Sequence, residues 1–273
     1  MNKHAGNFGD VVKHLLLAEL LERERSRIKT YIDPYAGSPV NDLSNAAYLY
    51  SRRSKRTRAA GLPWADRYVQ LASVGALRRA QYTRILKNLD FPGRTLYPGS
   101  AQIAADVLGT HARLLLADND ASDARALRRL PRARVARSLS PDHPWVAASL
   151  EQSAFVLVDP FNLRTDSTAQ SFVIAAARVG ALVMAWYPLY GPTGHPDIDK
   201  LWNSLVVPKS NRSVRVEVGW GRKDGASMCG AGMIISSVTS LATLRKLDGL
   251  RGGLQPLFDA CGKVLNGTLA AYK

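Results

Sequence analysis

The sequence predicts an α/β fold with a mainly parallel, doubly wound sheet, and three observations carry that expectation. Strand-like apolar runs alternate with helically spaced segments along most of the chain. Two of the runs, AFVLVD (154–159) and ALVMAWYP (181–188), are apolar at nearly every position, as strands buried on both faces are. Three predicted strands end in an acid, at Asp33, Asp118 and Asp159. Open sheets of this kind bind ligands beyond the carboxyl ends of their strands.

The elements follow in order. Phe8 to Arg27 has helical spacing, with Asn7 or Asp10 as cap. Thr30 to Pro34 is a short strand closed by the tight turn YAGSP (35–39). From 40 to 95, Tyr, Trp, Leu and Ala recur at loose helical intervals among many arginines. This segment is predicted to be a helical insert dividing a main domain of residues 1–39 and 96–273. YPGSAQIAADVL (97–108) starts a helix near Ser100, ARLLLAD (112–118) is a strand, and SDARALRRL (122–130) is the helix after it. ARVAR (133–137) is a short strand and HPWVAASLEQ (143–152) a short helix. A helix joins the two apolar strands. SVRVEVGWG (213–221) alternates with period two and is joined to GAGMIISSV (230–238) by a turn-rich link, as in a hairpin. Leu241 to Leu265 reads as helical.

Composition narrows the functional classes. With 273 residues, 46% of them hydrophobic, the chain can bury a large core. No apolar run approaches the ~18 residues of a membrane-spanning helix. The first residues lack the apolar core of a secretion signal. Cys229 and Cys261 sit in no metal-ligand spacing, and the five histidines form no H-E-x-x-H, so neither a disulfide framework nor a metal site is expected. These features predict a cytoplasmic protein. The formal charge of +15 predicts a polyanionic partner, RNA or DNA. Its cations are bunched in SRRSKRTR (51–58) and RALRRLPRARVAR (125–137).

Several catalytic motifs are missing: G-x-G-x-x-G, the P-loop and G-x-S-x-G do not occur. DPYAGS (33–38) places small residues after a strand, which suits either a structural turn or close approach of backbone to a ligand. Asp118 either caps the following helix or accepts hydrogen bonds from the ribose of a nucleoside cofactor. Asp120 and Asp123 are better placed as caps, which leaves Asp118 free. His4 and His14 flank the beginning of the first helix; a partnered polar histidine is the default reading of each.

HAGNFGDVVKH (4–14), YIDPYAGSP (31–39), LYPGSAQIA (96–104), LADNDASDARALRR (116–129), VLVDP (156–160), MAWYP (184–188) and GAGMIIS (230–236) occur in one order. Together they resemble the bacterial RlmJ family, S-adenosylmethionine-dependent methyltransferases of adenine N6 in large-subunit ribosomal RNA. The resemblance implies a Rossmann-like class I methyltransferase fold, with a seven-stranded sheet and a small helical insert after the first strand. It implies S-adenosyl-L-methionine as cofactor, with His14, Asp33, Tyr35, Ala36, Gly37, Ser100, Asp118 and Ser140 at its site. It implies Asp159 as the catalytic acid of a D-P-P-Y motif, with Pro160 and Phe161 beside it. His4, Asn7, Lys13 and Asn162 are implied to contact the substrate, ribosomal RNA, and the chain is expected to act as a monomer.

The pattern departs from the family in four places. D-P-P-Y reads Asp159-Pro160-Phe161-Asn162, so the second proline is lost and the ring moves one place earlier. The glycine-rich first loop reads Ala36-Gly37-Ser38-Pro39, with Tyr35 where relatives have a histidine. Leu139 and Ser140 replace an Asp-Gly pair, with Asp142 as a stand-in. The family's short N-terminal lead before His4 is expected to be mostly missing. Two further readings follow: a protein of the same fold that binds RNA or DNA with catalysis weakened or lost, and a methyltransferase for another substrate.

Overall fold

The computed structural model describes residues 5–6, 8–43, 76–91, 95–190, 196–205, 212–219, 228–238 and 270–271. His4, Asn7, the basic run at 51–58 and the predicted helix at 241–265 lie outside the described residues.

The strands are β1 (Thr30–Asp33), β2 (Val40–Asp42), β3 (Leu96–Pro98), β4 (Arg113–Ala117), β5 (Ala133–Ala136), β6 (Ala154–Val158), β7 (Leu182–Tyr190), β8 (Arg212–Gly219), β9 (Met228–Val238) and β10 (Ala270–Ala271). The helices are α1 (Phe8–Arg23), α2 (Gln81–Asn88), α3 (Ser100–Leu108), α4 (Ala121–Leu127), α5 (Pro144–Ala147), α6 (Ser167–Arg178) and α7 (Pro196–Leu205), with a 3-10 turn at Ala76–Arg79. The main sheet has the order β10-β8-β9-β7-β6-β1-β4-β5. Strands β5, β4, β1, β6 and β7 are parallel, and β9 and β8 continue the sheet as an antiparallel hairpin. Apart from the two-residue β10 the sheet has seven strands, and it is the Rossmann-like class I methyltransferase architecture.

Both faces of β1, β4, β6 and β7 are covered, which explains their mostly apolar sequences. Phe155 and Leu157 of β6 join the core beneath α1 and α3, while Val156 and Val158 face Phe172 and Val173 of α6. Strand order reverses between β1 and β6. Chain built after β1 adds on one side as β4 and β5, and chain built after β6 adds on the other as β7. Asp33 and Asp159 therefore emerge side by side at the switch point, where ligands enter folds of this type.

The inserted segment leaves and re-enters through a ribbon that the sequence pattern did not predict. β2 pairs antiparallel with β3, and Leu43 N–H donates to the Thr95 carbonyl at 2.9 Å. Immediately after β3, Gly99 lies so close to the first loop that a Cβ there would stand 2.2 Å from the Ser38 carbonyl oxygen. Gly99→Ala is expected to lower stability by about 1–3 kcal/mol through overpacking, read as a fall in the urea midpoint. An unchanged midpoint would show that the loop yields freely.

Helix α1 is buried from Val11 to Leu21, without the polar face of a surface helix. Three of the buried side chains are polar: Lys13, His14 and Glu19. Each has a partner, as burial of such groups requires. Glu19 Oε1 accepts the Gln81 backbone N–H at 2.6 Å, at the start of α2. Lys13 and His14 belong to the site described next. Among the described residues, no helix is long and apolar enough to cross a membrane.

Candidate active site

Asp33, at the end of β1, is fully buried and organises the first loop. Its carboxylate accepts from Ser100 Oγ (2.7 Å), Tyr31 Oη (3.1 Å) and the Tyr35 backbone N–H (3.1 Å). Burial pushes its pKa up to about 6, with the Ser100 and Tyr35 hydrogen bonds opposing that rise. The loop is tied to the next strand by Ala36 N–H, which donates to the Ala117 carbonyl at 3.1 Å. Gly37 takes φ +60°, a left-handed conformation that a side chain disfavours. The sequence DPYAGS is thus a turn built from behind by Asp33 and Ser100.

That turn walls an open cavity of about 450 Å³ at the carboxyl ends of β1, β4 and β5. Tyr35, Gly37, Asp118, Leu139, Asp166 and Thr168 line it. Asp118 Oδ1 accepts the Asp120 backbone N–H at 2.7 Å, while Oδ2 has no partner among the described residues. Asp120 itself caps α4 by accepting from Ser122 and Asp123 N–H. A part-exposed carboxylate oxygen at the end of the second parallel strand is the acceptor that ribose hydroxyls require. The Tyr35 hydroxyl is engaged, donating to Asp166 Oδ2 at 2.8 Å, and Asp166 caps α6 through Ala169 N–H. The tyrosine so joins the loop after β1 to the helix after β6. Small backbone-lined turn, free acid and apolar Leu139 together fit a nucleoside cofactor of S-adenosylmethionine's kind.

Of the residues expected at the cofactor, Tyr35, Gly37 and Asp118 line this cavity. Asp33, Ala36 and Ser100 are buried behind the loop, and Ser140, next to Leu139, donates to Asp142 Oδ1 at 2.5 Å. His14 is buried against β3, its Nδ1 2.8 Å from Tyr97 Oη. Tyr82 of α2 donates to Tyr97 Oη at 2.9 Å. The Tyr97 proton is then left to bond His14 Nδ1, since a buried hydroxyl without an acceptor is costly. That sets the neutral tautomer with its proton on Nε2. Burial, and next the charge of Lys13, push the His14 pKa down to about 3, so the ring is a donor rather than a cation at neutral pH. Tyr97→Phe is expected to release this tautomer, seen as convergence of the two imidazole ¹⁵N shifts of His14. Retained wild-type shifts would show that the tautomer is set elsewhere.

Asp159 follows β6 with its side chain 20% exposed. Lys13 Nζ lies 2.5 Å from its Oδ2 and 2.9 Å from Asp10 Oδ1. Burial opposes the Lys13 charge, but Asp10 and Asp159 together outweigh it and raise the lysine pKa. Burial raises the Asp159 pKa, and Lys13 holds part of that rise back. Two residues further on, Phe161 is 88% exposed, the most exposed large apolar side chain among the described residues. Asn162 turns its Oδ1 to the Arg164 backbone N–H at 3.1 Å, completing a local turn. Pro160 is buried beneath.

The sequence pattern did not single out Asp10 for this site, nor Tyr97 or Asp166. Asp10 stands three residues before Lys13 on one helix, a spacing that signals an ion pair. Tyr97 and Asp166 give no signal before the fold brings their partners to them. Among the described residues, no group of three or more His, Cys, Asp and Glu side chains converges on a metal position.

No family model matches the chain. Ribosomal RNA large subunit methyltransferase J of Haemophilus influenzae is 30% identical over 206 residues, covering 68% of each chain. The crystal structure of protein LPL1258 from Legionella pneumophila superposes with a TM-score of 0.67 at 20% identity, covering 94% of both chains. That second likeness extends the shared fold over nearly the full length. The chain therefore belongs to the family of ribosomal RNA large subunit methyltransferase J, with S-adenosylmethionine as its cofactor.

Proposed function

We propose that the protein methylates N6 of an adenine in large-subunit ribosomal RNA. The observation that carries this reading is Asp159, an acid at the switch point beside the cofactor cavity, paired with the buried Lys13. When bound, S-adenosylmethionine supplies an electrophilic methyl group. The chain's task is to present a weak nucleophile, because the lone pair of the adenine amine is delocalised into its ring. Asp159 accepts an N–H of that amine, orients it, and takes the proton the nitrogen sheds once the new N–C bond forms. Lys13 keeps the carboxylate charged for that task. Phe161 offers its exposed face for stacking against an extruded base, and Asp118 holds the cofactor ribose.

The second reading, an RNA-binding protein of this fold with catalysis weakened, draws on the motif's last two residues. The Asn162 side chain is committed to its own turn, and the ring of Phe161 stands out in solvent. Transfer of a tritiated methyl group to unmodified 23S ribosomal RNA, followed by mapping of the labelled base, separates the two. A single labelled adenine is expected. RNA binding without label would favour the second reading, and label on another base would overturn the adenine assignment.

A further inference from the structure

Strand β5 is the outer strand of the parallel half of the sheet, and its surroundings carry an excess of one side chain. Between 111 and 137 the sequence has seven arginines, no lysine and three acids. All seven, Arg113, Arg125, Arg128, Arg129, Arg132, Arg134 and Arg137, are exposed. Arg132 donates to the Thr110 carbonyl. Arg125, Arg128, Arg129 and Arg137 have neither an ion pair nor a side-chain hydrogen bond with a described residue.

Ordinary structural reasons account for part of this. A charge or two protects a sheet edge from pairing with another chain, and a cation near a helix C-terminus favours the macrodipole. Neither explains the bunching. Arg128 and Arg129 stand at and just past the C-terminus of α4, close after Arg125, where one cation would serve the macrodipole and the others repel it. Protection of an edge is served as well by lysine, whereas a planar guanidinium fork is what binds phosphate oxygens in pairs.

A second, independent observation points to the kind of partner. On the opposite face of β5 from α4, the Arg134 guanidinium lies 5.0 Å from the ring centroid of Trp145, and His143 meets that ring edge-on at 5.1 Å. Trp145 supports the guanidinium from below, and Arg134 is exposed above it. A guanidinium backed by an aromatic ring in this way offers its outer side to an unpaired base. Arg137 continues the line to the wall of the cofactor cavity. Strand β5 itself, Ala133–Ala136, runs about 10 Å.

We propose that the β5 edge binds an unpaired RNA segment next to the target nucleotide, with Arg125, Arg128 and Arg129 on its phosphates and a base stacked on Arg134. The proposal rests on the RNA-methyltransferase reading and names the surface that takes that substrate. Phosphate binding makes affinity fall with salt, and stacking restricts it to unpaired bases.

The test is fluorescence anisotropy of the full chain with a labelled RNA stem-loop and with a fully paired duplex of equal length, across a salt series. The variant Arg125→Gln/Arg128→Gln/Arg129→Gln removes three exposed cations away from the cavity. Its log–log salt dependence for the stem-loop is expected to be shallower by about 2, because each single-strand phosphate that a cation neutralises adds ~0.7 to the slope. Its cofactor affinity, measured by calorimetry, is expected to match the wild type and so reports an intact fold. Arg134→Gln is expected to weaken the stem-loop about fivefold and leave the duplex unchanged, the difference reporting the lost stack. A triple variant with the wild-type slope and affinity overturns the proposal, as does equal loss for stem-loop and duplex with Arg134→Gln. Tighter binding of the wild type to phosphatidylserine vesicles than to RNA also overturns it, in favour of a membrane surface. If the wild type methylates ribosomal RNA while the triple variant binds unchanged, only the surface is wrong. If the wild type neither binds nor methylates RNA, the reading beneath it fails as well.

Discussion

Asp159→Ala is expected to abolish methyl transfer while the cofactor still binds, with a fall of roughly 10²–10⁴ in the single-turnover rate for loss of the proposed acceptor of the amine proton. The substitution is a clean one because the fold keeps its buried cation paired. Lys13 retains Asp10 at 2.9 Å when Asp159 is gone, so no isolated charge is left in the interior. Cofactor affinity, measured by calorimetry, is expected to stay within about threefold of the wild type, since Asp118 and the first loop form a separate wall. Equal transfer by variant and wild type would remove Asp159 from the mechanism. Loss of cofactor binding as well would place the residue in the cofactor site instead.

Replacing Lys13 acts on stability and on pH dependence together. Lys13→Met leaves Asp10 and Asp159 without the cation between them, with side chains 15% and 20% exposed. Breaking such a pair typically costs about 3–5 kcal/mol, read here from urea unfolding at pH 7. The direction of the pH effect follows from the charges. Lys13 lowers the Asp159 pKa against a rise from burial, and Asp10 adds to that rise. Removing the lysine therefore lifts the Asp159 pKa further. On the proposed mechanism activity requires the ionised carboxylate and is lost as pH falls through that pKa, so the acid limb of the rate profile is expected to move to higher pH. Lys13→Arg keeps the charge and is expected to restore most of the limb. A limb that stays in place in Lys13→Met would show that a different group sets it.

The parts of this fold legible in sequence are those where one segment declares its own environment. β6 and β7 are apolar on both faces because helices cover both, and a continuous apolar run has few other uses. Asp33, Asp118 and Asp159 stand out because an acid at the end of a buried strand breaks the pattern that precedes it. α7 was not anticipated, since its described buried apolar residues are only Ile198 and Leu201. The β2–β3 ribbon escaped for a related reason, as three residues are too few to show a period of two. Pairing across the chain is the part sequence hides. Lys13 and Asp159 are 146 residues apart, and Tyr97 reaches His14 across 83. The resemblance placed His14 and Lys13 at the site, but their partners emerge only when β3 and β6 are laid beside α1.

The ribbon of β2 and β3 carries a consequence for the variation this chain can tolerate. The strand that departs and the strand that returns are joined by backbone hydrogen bonds up to Leu43 and Thr95, which form a doorway between the main sheet and the inserted segment. Residues gained or lost between 43 and 76 are expected to leave the two jambs paired. The stretch 76–91 has no such freedom: α2 takes its first N–H partner from Glu19 and sends Tyr82 to Tyr97. Length changes among natural relatives are expected to fall on one side of that boundary, before residue 76, and to stop there.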